Sequence, residues 1–144
     1  MKALVAYAST TGNTRKVAEA MARALGCEAR AVGELDAAGV EAERFFVGGA
    51  VYATHDHGLD PALTGFIARL EPRKIGTAYA FSTGFERSDA SGLVARALAA
   101  RGVAVGRERF ACKGQLFKLF MRGHPDARDL EAAAAFALRA SGQA

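Results

Sequence analysis

The 144-residue chain has no tryptophan, three prolines and two cysteines. Cys27 and Cys112 stand alone, with no CxxC pair and no His/Cys cluster, which excludes a disulfide framework and a zinc site. Long apolar runs are missing too. The longest, Ala132 to Leu138, has seven residues, against the ~20 that span a bilayer. The apolar run Ala3 to Ala8 passes at once into the polar stretch Ser9 to Lys16, without the longer apolar region and cleavage site of a secretory signal. The expectation is a cytoplasmic protein. There is no GxxxxGK[ST] loop for a nucleoside triphosphate and no GxGxxG for a dinucleotide. No helix-turn-helix, zinc finger or aromatic RNA-binding signature is present either, so no nucleic-acid partner is expected.

What is present is globular. An apolar share of 51% with 24% charged residues excludes disorder, and the length fits one domain, residues 1–144. The net charge of +4 is unevenly spread. Residues 1–72 hold 7 Lys+Arg against 9 Asp+Glu, whereas residues 73–144 hold 12 against 6. Between Arg101 and Arg122 six basic residues face Glu108 alone. Such a stripe is either a solvated face or a contact for an acidic partner or an anionic surface.

Two periods alternate along the chain. Ala3 to Ala8 is an apolar run of strand length, as for a strand covered on both faces. From Thr14, the residues Val17, Met21 and Leu25 fall on one helical face, and Gly26 closes the helix. Glu28 to Val32 reads as a second strand, Ala37 to Glu43 as a weak short helix, and Phe45 to Gly49 as a third strand. Asp60-Pro61 opens a helix that Pro72 stops. Thr77 to Phe81 is a fourth strand, and Ser88 or Asp89 caps a helix ending at Gly102. Val103 to Ala111 is a fifth strand, and a last helix opens at Asp126 with Asp129 behind it. The fold class is α/β: a doubly wound five-stranded parallel sheet with helices on both faces. Ligands bind such sheets beyond the carboxyl ends of the strands, where the winding reverses.

The loop after strand one, Ser9-Thr10-Thr11-Gly12-Asn13-Thr14, gathers four hydroxyls around a glycine at a helix start. Neutral donors of that kind, with the unpaired N–H groups of a helix N-terminus, satisfy a phosphate dianion. A polar capped turn without a ligand is the other reading of the same residues.

This stretch, after Val5-Ala6-Tyr7 and before a helix, resembles the FMN phosphate-binding signature of flavodoxins, Ser/Thr-x-Thr-Gly-Asn-Thr. The resemblance extends over nearly the whole chain in element order, and includes Cys112-Lys113-Gly114-Gln115 and His124-Pro125-Asp126. It implies the strand order 2-1-3-4-5, FMN as cofactor, and transfer of one electron at a time between redox partner proteins, as a monomer or weak dimer. It further implies that Gly49, Ala50, Val51 and Tyr52, with Ser82, Thr83, Gly84 and Phe85, wall the flavin ring, Tyr52 against one face. No catalytic residue and no metal ligand are implied, and the cluster His55, Asp56, His57 and Asp60 lacks metal-ligand spacing.

The chain departs from the family pattern in places. Val51 replaces a frequent Thr, and Ala53 follows Tyr52 where a Gly often permits a peptide flip. Flavodoxins are typically strongly acidic, whereas this chain is basic. Residues 115–124 alternate large apolar with basic side chains, to cover the sheet edge or to meet a membrane surface, a quinone or a partner. Two other function classes stay open on these residues: an FMN-dependent oxidoreductase acting on a quinone or porphyrinogen, and a flavin-free regulatory or scaffold protein.

Overall fold

The computed structural model describes residues 2–8, 12–50, 58–84, 90–112 and 125–142. The elements follow in the order β1 (Ala3–Tyr7), α1 (Asn13–Leu25), β2 (Glu28–Ala31), β3 (Ala42–Gly49), α2 (Pro61–Ala68), β4 (Ile75–Thr83), α3 (Ala90–Arg101), β5 (Phe110–Cys112) and α4 (Ala127–Ala140). All strand pairs are parallel and the sheet order is β2-β1-β3-β4-β5.

Side chains alternate across the strands and so feed two cores. Val5, Phe46 and Phe81 point to one side, where they pack with Val17 and Met21 of α1 and with Phe136 of α4. Ala6, Phe45, Val47, Ala78 and Ala80 point to the other, against Leu63, Phe66 and Ile67 of α2 and Val94 and Leu98 of α3. Phe45, Phe46, Phe66, Phe81 and Phe136 are all essentially inaccessible, each contributing about 1.5–3 kcal/mol by burial. The small β4 residues Ala78 and Ala80 are fully buried in this second core. Among the described residues no helix is long and apolar enough to cross a membrane.

The helix ends follow from local chemistry. Gly26 adopts φ 69° at the end of α1, and the Cys27 amide donates to the Ala22 carbonyl at 2.9 Å, closing the helix through a left-handed residue. The Asp60 carboxylate accepts from the Ala62 amide at 2.9 Å, with Pro61 at the first helical position. At α4 the Asp126 and Asp129 side chains cap each other's backbone amides, both at 2.9 Å, in the reciprocal arrangement of a capping box.

Two elements differ from the sequence expectation. The helix expected over Ala37 to Glu43 is instead a single short 3-10 turn, Ala37–Gly39, followed by the start of β3 at Ala42. The Glu43 and Arg44 amides both donate to the Lys2 carbonyl, at 2.9 and 3.2 Å, which draws these residues into β3. The fifth strand is broken. Val105 pairs with Ala78 and Phe110 with Phe81, so five steps along one strand face three along the other. Gly106 lies so close under the Tyr79 ring that a Cβ there would overlap it. Arg107, Glu108 and Arg109 consequently bulge outward, all exposed, and Glu108 pairs with Arg139 of α4 at 3.4 Å. A charged bulge on an edge strand also blocks edge-to-edge pairing.

Candidate functional site

The carboxyl ends of the strands are level. Tyr7 is in register with Gly48, Gly48 with Phe81, Gly49 with Ser82, and Thr83 with Cys112. Beyond β1 the Ala8 amide donates to the Gly48 carbonyl at 3.0 Å, and beyond β4 the Gly84 amide donates to the Cys112 carbonyl at 3.0 Å. β2 and β3 leave β1 in opposite directions, which makes the end of β1 the point where the winding reverses.

α1 starts there, behind Gly12 at φ 86°, a backbone conformation costly for any residue with a Cβ. Its first turn carries no acidic residue and includes exposed Arg15 and Lys16. The positive end of a helix dipole is stabilised by negative charge and opposed by positive charge. α2 and α4 meet that preference with their own carboxylates, Asp60 and the Asp126–Asp129 pair. The first turn of α1 presents its positive charge together with neutral side chains, the chemistry of an anion site.

Asn13 and Thr14 are buried at this N-terminus, and Ser82 and Thr83 are buried at the end of β4. The two threonine hydroxyls meet: Thr14 Oγ1 and Thr83 Oγ1 are 2.8 Å apart and shielded from solvent. This hydrogen bond joins α1 to β4 across the end of the intervening strand β3. Sequence reasoning named both residues as site candidates but missed their contact, which spans 69 positions and leaves no local signal.

Gly48 and Gly49 are close-packed rather than turn residues. A Cβ on Gly49 would stand 2.6 Å from Leu63 Cδ2, and one on Gly48 would overlap the Phe81 ring. Ala50 is half-buried just past the strand, and Gly84 takes φ 154° just past β4. The structure thus places Gly12, Asn13, Thr14, Gly49, Ala50, Ser82, Thr83 and Gly84 around the carboxyl ends of β1, β3 and β4. Ser9, Thr10, Thr11, Val51, Tyr52 and Phe85 lie outside the described residues, as do His55, Asp56, His57 and the stretch 115–124.

Next to this end, burial pushes the half-buried Cys112 thiol up to about 12, helped by the negative charges of Asp129 and Asp126. Cys112 is therefore an inert packing thiol at neutral pH. A cavity of about 600 Å³ opens at the opposite end of the sheet, lined among others by Lys2, Leu25, Cys27, Glu34, Leu35 and Val40. It holds none of the candidate residues and faces away from the winding reversal.

No family model matches the chain, and no curated protein matches its sequence. Solved structures do. A short-chain flavodoxin associated with a non-canonical PDU bacterial microcompartment aligns with TM-score 0.76 at 18% identity, covering 100% of both chains. Oxidised flavodoxin 2 from Bacillus cereus aligns at 0.73 and 20% identity, again over 100% of both. Rubredoxin oxygen:oxidoreductase from Desulfovibrio gigas aligns at 0.77 and 17% identity, covering 98% of this chain and 35% of its own. From end to end, the chain has the fold of the short-chain flavodoxins.

Proposed function

We propose that this chain is an FMN-binding electron carrier, a single domain of the cytoplasm that passes electrons one at a time between redox partner proteins. The observation that carries the reading is the first turn of α1. It stands at the winding reversal behind a positive-φ glycine, without an acid of its own, and its buried Thr14 hydroxyl is held from behind by Thr83. That donor set fits a phosphate ester dianion.

Ser9, Thr10, Thr11, Gly12, Asn13 and Thr14 would hold the phosphate. Gly49 to Tyr52 on one side and Ser82 to Phe85 on the other would flank the ring. The flavin supplies the redox chemistry when bound, so the protein needs no acid, base or nucleophile of its own. Its own contributions are grip, orientation and field. The inert Cys112 thiol beside the site and the absence of acid from the first turn of α1 suit a holder of charge rather than a proton-transfer centre.

Purification under native conditions, followed by fluorescence titration of the flavin-stripped chain with FMN, tests the reading. Saturable uptake of one FMN per chain is expected, with quenching of flavin fluorescence. A folded chain that takes up no FMN would leave the fold and remove the function. Redox titration then separates a carrier, which shows two resolved one-electron steps, from an enzyme that turns over a quinone or porphyrinogen.

A further inference from the structure

We infer that the cavity at the opposite end of the sheet is a second ligand site, built for a small amphipathic cation: a protonated amine on an aliphatic or aromatic body. The inference is independent of the FMN reading, because the cavity lining shares no residue with the candidate flavin site.

The cavity follows from the form of one crossover. Parallel strands are usually joined by a helix that also covers a face of the sheet. Helices α1, α2 and α3 do so after β1, β3 and β4. Between β2 and β3 the chain forms only the 3-10 turns Val32–Glu34 and Ala37–Gly39. Turns of this length leave the starts of β1 and β2 open beneath them, and the space amounts to about 600 Å³. Small-molecule sites usually occupy ~300–1,000 Å³.

Leu4 and Leu35 pack against the core under α2 and α3 yet stay only partly buried. With Leu25 and Val40 they give the cavity an apolar wall. The edge strand shows the same opening in its own residues. Leu4 is in register with Glu28, and Ala6 with Arg30, so apolar side chains on β1 have charged neighbours on β2.

Charge selects the ligand. Four carboxylates, from Glu28, Glu34, Asp36 and Glu41, line the cavity against the two cations Lys2 and Arg30. Arg30 is already shared by two of them, with Nη1 3.4 Å from Glu28 and Nε 3.6 Å from Glu34. Among the described residues Asp36 and Glu41 have no ion-pair partner. An ammonium group beside them offsets the negative excess, whereas an anion adds to it.

Two other kinds of chemistry fit the lining less well. Among the described residues no three His, Cys, Asp or Glu side chains are grouped to hold a metal ion, so these carboxylates border a space without converging on a point. The Cys27 thiol also lines the cavity. Burial, and then the charge of Glu28, push it up from its ordinary value, which makes it an uncharged wall at neutral pH and no nucleophile.

Titration of the isotope-labelled chain with hexylammonium chloride, followed through backbone amide chemical shifts, tests the site. Hexanesulfonate carries the same tail with the opposite charge and is the control. The amides of Leu4, Leu25, Cys27, Leu35 and Val40 should move and saturate, and hexylammonium should bind about fivefold tighter than hexanesulfonate. Asp36→Asn combined with Glu41→Gln should bring the two affinities within about twofold of each other while the wall still holds the tail. Both positions are exposed, and the same spectra report whether the variant is folded; Asp36→Asn alone serves if the pair is not. Shifts that do not saturate, saturating shifts confined to other residues, equal affinities in the wild type, or a preference that survives in the variant would each overturn the site. FMN uptake by the same chain is measured separately, and none of these outcomes alters it.

Discussion

The ring of Phe81 lies over Gly48, its register partner on the neighbouring strand, in space that a Cβ on Gly48 would occupy. Glycine is required there by close approach, since the aromatic ring crosses β3 to reach the core beneath α1. Gly48→Ala should therefore displace Phe81 and destabilise the protein by about 1–3 kcal/mol, the usual range for overpacking. Urea unfolding checks this through a lowered midpoint at unchanged slope. Adding Phe81→Leu to Gly48→Ala should recover part of the loss, because the neighbours share one volume. An unmoved midpoint in the single variant would refute the packing argument.

Lys16 separates two effects that usually travel together. It is exposed in the first turn of α1, where its charge opposes the helix dipole. Lys16→Glu should stabilise the flavin-free protein by about 0.3–1 kcal/mol, and the same negative charge should weaken the grip on a phosphate dianion. Thermal unfolding of the stripped chain should move up while FMN affinity moves down. Both quantities moving together, in either direction, would mean that no anion site lies at this helix end.

The capping box on α4 makes a narrower prediction. Asp126 accepts from the Asp129 amide at 2.9 Å, and α4 supplies Phe136 to the same core as α1. Asp126→Ala should cost about 1 kcal/mol, whereas Asp126→Asn keeps a capping oxygen and should cost a few tenths. Chemical denaturation of the two variants side by side decides it. Equal stability of alanine and asparagine would show that the cap contributes nothing.

The fold was legible where the physics is local. Apolar periodicity, Gly26, Asp60-Pro61 and Asp126 marked strands and helix ends because the side chains that decide them lie within one turn of the backbone they act on. The misreadings came from distant partners. Val103 to Ala111 reads as one strand, yet Gly106 is pressed under Tyr79 of β4 and the chain bulges. Residues 42 and 43 read as helix until the Lys2 carbonyl claims the Glu43 amide. The site divides the same way. The proposed phosphate loop is a contiguous run of hydroxyls and glycine in the sequence, while the Thr14–Thr83 bond joins residues 69 positions apart.

Cys112 gives a pH dependence with a definite sign. Its thiol is pushed up to about 12 in the folded chain, first by burial and then by Asp129 and Asp126, from an ordinary value of 9.0. Below pH 9 both folded and unfolded chains keep the proton and the thiol favours neither. Between about 9 and 12 the unfolded chain releases a proton that the folded chain retains, so stability falls as pH rises through this window. The loss should be smaller in Cys112→Ser. Iodoacetamide labelling of the folded protein should be slow at pH 8 and keep rising beyond pH 10, with rapid labelling in denaturant. A labelling rate that levels off near pH 9 in the folded protein would contradict the buried thiol.

Charge sets the last expectation, which concerns the potential of a bound flavin. Full reduction leaves a negative charge on the ring, and negative surroundings oppose it. The chain carries +4 overall, with Arg15 and Lys16 on the first turn of α1. The second electron should consequently enter at a less negative potential than in an acidic protein of this fold. Every tenfold change in a one-electron equilibrium is worth ~59 mV, and exposed charges are screened over ~10 Å at 0.1 M salt. The difference should thus be largest at low ionic strength and shrink as salt is added, while any part set by ring contacts stays constant. Redox titration against an acidic flavodoxin at two salt concentrations separates the two contributions, and a second couple equally negative at low salt would show that net charge has no hold on the flavin.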